Sequence, residues 1–129
     1  MVSSLPRLDW PVRVIFALCL AVASIGHIND LWQHGWFPYR FAPLPLNVYW
    51  TALAFLDASA ALLLLARPRA GLALTLLVIV SDVAVNLFAR FYLGLRLQTF
   101  ALSLQVLFFV AVVGVTLYAR RAEAVTQTI

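Results

Sequence analysis

The chain has 129 residues, 64% of them hydrophobic and only 11% charged, with a formal net charge of +4. That balance excludes an ordinary soluble domain and points to an integral membrane protein. Its nine basic residues are all arginines that flank apolar runs without forming a continuous groove, which argues against a nucleic-acid partner.

Four apolar stretches follow one another at about 12–32, 48–66, 70–91 and 97–119, each near the ~20 residues a spanning helix needs. They use most of the chain, so residues 1–129 read as one all-α, four-span domain. In the first span, Arg7, Arg13 and the small residues Ala21, Val22 and Ala23 imitate a secretory signal, but the segment is expected to stay as a span. Cys19 lies in mid-span and reads as a packing residue. The span ends in GHINDLWQHGW, where His27, Asp30 and His34 have i, i+3, i+7 spacing and share one helical stripe.

The connection 33–47, QHGWFPYRFAPLPLN, contains Pro38, Pro43 and Pro45, which argue against a regular helix through it. Trp32, Trp36, Phe37, Tyr39, Phe41, Tyr49 and Trp50 crowd around it. Two readings stay open, an aromatic belt at the membrane interface or a hydrophobic lid over a cavity. In the second span Trp50 and Asp57 are a heptad apart, and Ala58, Ser59, Ala60 and Ala61 allow close helix approach. Arg67-Pro68-Arg69 is too short for anything but an antiparallel hairpin into the third span, whose polar stripe is Thr75, Asp82 and Asn86. Residues 92–96 form the next turn, with Gly94 free to take a positive φ. Gln98 and Gln105 are a heptad apart in span four, and the polar tail 120–129 is expected to fray or to lie solvated.

Arg7, Arg13, Arg67, Arg69, Arg120 and Arg121 fall on one side of this arrangement, against Arg40, Arg90 and Arg96 on the other. The positive-inside rule then puts both termini in the cytoplasm. The polar residues also agree in depth. At ~1.5 Å per residue, His27 and Gln105 lie roughly 9–10 Å below the outer surface, and Asp57 and Asp82 roughly 14 Å. A central aspartate costs about 2.5–3.5 kcal/mol to insert, so the pair costs roughly 5–7 kcal/mol. Polar stripes at that cost face the interior or a wet cavity, and carboxyls held in apolar surroundings suit a general acid or proton carrier.

The plainer alternatives are that Asp57 and Asp82 tie helices together, that His34 is an interfacial histidine, and that Asp30 pairs with Arg40 or Arg90. The spacing of His27, Asp30 and His34 matches no specific metal signature, and no cofactor motif is present, so neither metal nor cofactor is expected.

Arg13 opening the first span, Gly26-His27 near its end, the polar-aromatic loop, and FLDASAALLLLARPR from Phe55 to Arg69 together resemble the DoxX-like group of small four-span membrane proteins. That group typically carries Gly-Lys and a glutamate where His27 and Asp57 stand. The resemblance covers most of the chain through loose motifs. It implies a four-helix bundle, in a group that includes subunits associated with quinone-linked sulfur oxidation. A second likeness is chemical only: membrane sterol isomerases and terpenoid cyclases also place buried acids beneath aromatic side chains.

The expectation is therefore an antiparallel four-helix bundle of the bacterial inner membrane, with an outward-facing pocket for a lipophilic small molecule. If it catalyses, the chemistry is acid–base, of isomerase or cyclase type. Asp57, Asp82 and His27 would act, Asn86 and Gln105 would orient, and Asp30, His34, Trp32, Trp36 and Trp50 would line the pocket or its rim. The rivals are a non-catalytic subunit of a larger membrane complex and a proton-coupled transporter protomer that would pair as a homodimer in the lipid bilayer.

Overall fold

In the computed structural model, which describes residues 2–129, four helices are long and apolar enough to cross a membrane. They are α1, Trp10–His34; α2, Leu44–Ala66; α3, Pro68–Leu87, continued by a π-helical turn, Phe88–Tyr92; and α4, Thr99–Thr128. Their mean hydropathies lie between 1.8 and 2.4. No strand occurs among the described residues.

Prolines open three of the helices. Pro11, Pro45 and Pro68 each sit in a first turn, where the missing N–H has no intrahelical partner to lose. This corrects the expected loop 33–47. The prolines near its end start α2 rather than excluding it, so the connection shrinks to residues 35–43. Gly35, at φ 79°, closes α1 by returning its N–H to the Leu31 carbonyl at 2.9 Å. The C-terminal tail does not fray at 120, because α4 continues to Thr128, but its residues are largely exposed, in keeping with the solvated alternative. At ~1.5 Å per residue that helix is roughly 45 Å long.

Neighbours in sequence are neighbours in space: α1 packs on α2, α2 on α3, and α3 on α4. Phe16 of α1 meets Phe108 of α4 edge-on, with ring centroids 5.6 Å apart. The expected small-residue contact holds at Ala60 and Ala61, which are buried, whereas Ser59 faces outward. A Cβ on Gly71 would run into the α2 backbone at Leu63 and Leu64, which shows how tightly the one-residue link draws α3 onto α2.

At the same end, the side chain of Arg13 donates to the Leu64 carbonyl at 3.2 Å, satisfying an orphan acceptor in the last turn of α2. Arg69 donates to the Leu5 carbonyl at 2.9 Å, and the Arg7 backbone N–H to Glu123 at 3.2 Å. The N-terminal segment, the α2–α3 link and the end of α4 thus meet at one pole.

Polarity is distributed inside out. Ser24, Thr51, Asp57, Thr75, Asp82, Asn86 and Thr116 are buried, while Ile15, Leu18, Val22, Leu62, Leu77 and Leu107 are exposed. In water this would forfeit the hydrophobic effect; in hydrocarbon it is the arrangement that satisfies polar groups.

Candidate functional site

A cavity of about 450 Å³ opens at the pole opposite the arginine-rich end, with walls from every helix. His27 and Asp30 come from α1, Trp50 from α2, Asp82 and Asn86 from α3, and Gln105 from α4. The connection 35–43 adds Tyr39 and Phe41, and Arg96 lies in the turn before α4.

Two hydrogen-bonded chains organise it. In the first, the Tyr39 hydroxyl donates to Asp30 Oδ2 at 2.9 Å and lies 2.7 Å from His27 Nδ1. Because the single phenol proton goes to Asp30, His27 Nδ1–H is the donor of the other bond, which leaves Nε2 as the nitrogen available to a ligand. Burial, then the hydrogen bond to Asp30, then the charges of Asp30 and Asp82 hold the Tyr39 phenol protonated well above its ordinary range.

In the second chain, the Trp50 indole N–H, which can only donate, bonds to Asn86 Oδ1 at 2.8 Å. That fixes the Asn86 amide. Its nitrogen donates to Asp82 Oδ1 at 3.1 Å and to Gln105 Oε1 at 2.6 Å. The groups left over are the Gln105 amide N–H₂ and the second Asp82 oxygen. Asp82 is 7% exposed and lines the cavity, and its second oxygen has no hydrogen-bond partner among the described residues.

Tyr39 is held over the site by Asn47, a buried residue in the first turn of α2. Asn47 Oδ1 accepts from the Tyr39 backbone N–H at 3.0 Å, and Nδ2 donates to the Phe37 carbonyl at 3.0 Å. Between them Phe37 takes φ 54°, the one positive φ outside glycine among the described residues. The helix starts directly beneath the connection, so a single amide clamps two of its carbonyl and N–H groups.

Of the residues singled out from the sequence, His27, Asp82, Asn86, Gln105, Asp30 and Trp50 meet in the cavity. Asp30 bonds to Tyr39 rather than to Arg40 or Arg90. Asp57 is buried but does not line the cavity and makes no hydrogen bond among the described residues; it lies within electrostatic range of Asp82. His34 is exposed, its Nδ1 3.3 Å from the Asp30 carbonyl. Trp32 is 88% exposed, and Trp36 stacks outside on Phe55. The aromatics of the connection therefore divide, Tyr39 and Phe41 facing the cavity and Trp36 the exterior.

Sequence reasoning missed Asn47 and Arg96 as site residues and saw Tyr39 only as one aromatic of a belt or a lid. The one signal for Asn47 was an amide three residues into an otherwise apolar helix. Among the described residues no three His, Cys, Asp or Glu side chains come close enough to hold a metal ion. No protein family, curated protein sequence or solved structure matches the chain.

Proposed function

We propose that the chain is an antiparallel four-helix protein of the bacterial inner membrane, both termini cytoplasmic, whose outward-facing cavity binds a lipophilic small molecule and performs acid–base chemistry of the isomerase type on it. The observation that carries this reading is the convergence of two separately ordered polar chains on one cavity in an otherwise apolar molecule. Helix association alone requires polar groups to satisfy each other. Here His27 Nε2, the second Asp82 oxygen and the Gln105 amide N–H₂ are left turned toward an occupant.

In this reading His27 Nε2 takes a proton from one position of the ligand and returns it at another, while Nδ1 stays tied to Tyr39 and Asp30 and the ionised acid Asp82 faces the charge on the ligand. Asn86 and Gln105 orient the acid. Asp57 acts on Asp82 through charge rather than contact. Grouping of the arginine-rich segments at the opposite pole supports the cytoplasmic placement of the termini.

Organic extracts of the protein purified in mild detergent test the reading. Mass spectrometry should find a lipophilic molecule retained by the wild type and reduced at least about tenfold in Asp82→Asn and His27→Ala, one order of magnitude being ~1.4 kcal/mol of binding. Equal retention by both variants, with unchanged thermal stability, sinks it.

A further inference from the structure

The unbalanced charge of the cavity says more about its ligand, provided that it takes a lipophilic molecule at all. Each packed element faces the cavity with identifiable groups. From α1 come His27 and Asp30, from α3 Asp82, from α4 the uncharged Gln105, and from the turn before α4 Arg96; Asp57 of α2 stands behind Asp82 within electrostatic range. Among the described residues, the donors to Asp30 and Asp82 are the neutral side chains of Tyr39 and Asn86. Arg96 is exposed, where water and salt screen its charge, whereas Asp82 is more than nine-tenths buried. A buried carboxylate with no cationic partner is costly, and a cation arriving beside it removes that cost.

The rings beside these acids fit the same ligand. Tyr39 stands across Trp50 at 73° with centroids 5.5 Å apart, and across Phe41 at 90° and 6.4 Å. Phe41 and Trp50 are tilted by 31° at 6.0 Å. The three make one continuous aromatic wall, and a cation within about 6 Å of such faces is attracted by their quadrupoles. Beyond the acids, Leu97, Ala101 and Leu102 supply an apolar wall.

We propose that the cavity selects a lipophilic organic cation, its positive centre held beside Asp82 and Asp30 against the Tyr39–Phe41–Trp50 wall. The apolar body of the ligand then lies along Leu97, Ala101 and Leu102. A neutral carbonyl compound would use the Gln105 amide and gain nothing from the second carboxyl.

Three probes of related shape separate the outcomes: tetraphenylphosphonium, neutral triphenylphosphine oxide, and tetraphenylborate. Each is titrated calorimetrically into the full chain in lipid nanodiscs, with empty nanodiscs subtracted. The phosphonium should bind at least tenfold more tightly than either other probe. Asp82→Asn and, independently, Asp30→Asn should each remove at least tenfold of that preference. Arg96→Ala should tighten the phosphonium several-fold at low salt and leave the oxide unchanged, a response that no loss of packing produces. If the oxide binds as tightly as the phosphonium and depends on Gln105, the cation inference fails and the lipophilic-ligand reading stands. If none of the three binds above empty nanodiscs, both fail.

Discussion

At the scale of single residues, Tyr39 is the most informative side chain in the molecule. It ties His27 to Asp30, forms the middle of the aromatic wall, and hangs from Asn47 by its own backbone. Its phenol stays protonated beyond the ordinary tyrosine pKa of about 10. The linkage has a definite sign. The neutral phenol is favoured in the fold, so its contribution is complete below about pH 10 and falls as pH rises above that value, where the unfolded chain ionises freely. Tyr39→Phe should therefore leave the phenolate absorbance gained by the folded protein up to roughly pH 11 unchanged. If that variant loses a full tyrosine's worth of absorbance change, Tyr39 is not in the environment described.

At the scale of elements, the number and order of the helices were legible in the sequence, because runs of apolar residues bounded by proline, glycine and arginine are what a spanning helix requires. The placement of Gly94 at φ 68° was legible for the same kind of reason. The ends were not. Pro43 and Pro45 break a helix only from its interior, and the sequence does not say on which side of them the helix lies. The turn Phe88–Tyr92 was equally hidden: there the Leu93 N–H reaches back five residues to the Phe88 carbonyl at 3.1 Å, widening the backbone in the turn beyond Asn86. Nor was the site fully readable. Trp50 and Asp57, a heptad apart, share one face of α2, so rotation does not separate them; Asp57 lies about 10 Å further along the helix, beyond the part of that face that lines the cavity. Close approach at the element scale gives a paired prediction. Gly71→Ala pushes a methyl into the α2 backbone and should destabilise by about 1–3 kcal/mol. Gly26→Ala meets nothing within 4 Å and should be neutral or stabilise by up to about 1 kcal/mol. Thermal unfolding in detergent compares them; equal effects would mean that α2 and α3 are not pressed together at Gly71.

At the scale of the whole molecule, the two poles differ in kind. One gathers six of the nine arginines, the N-terminal segment and the end of α4; the other holds the cavity beneath a clamped connection. Such a division predicts topology. In a Cys19→Ser background, Gln127→Cys should react with a membrane-impermeant maleimide only after the membrane is opened, and Gly94→Cys in intact spheroplasts. Reaction of Gln127→Cys in intact spheroplasts would invert the proposed orientation, and with it the side from which the cavity is reached.

The directed chain from Trp50 to Gln105 has a consequence for how such a site changes over time. One indole proton and one carboxylate decide which way Asn86 faces, and so whether Gln105, two helices away, offers the cavity a nitrogen or an oxygen. Ligand preference is thereby stored as the direction of an amide rather than as the shape of a wall. Loss of that proton together with a donor in place of the carboxylate would let the amides turn over and reverse the sign of the floor with little change in its volume. A lineage carrying this fold holds a route between two ligand chemistries that leaves the packing of its helices untouched.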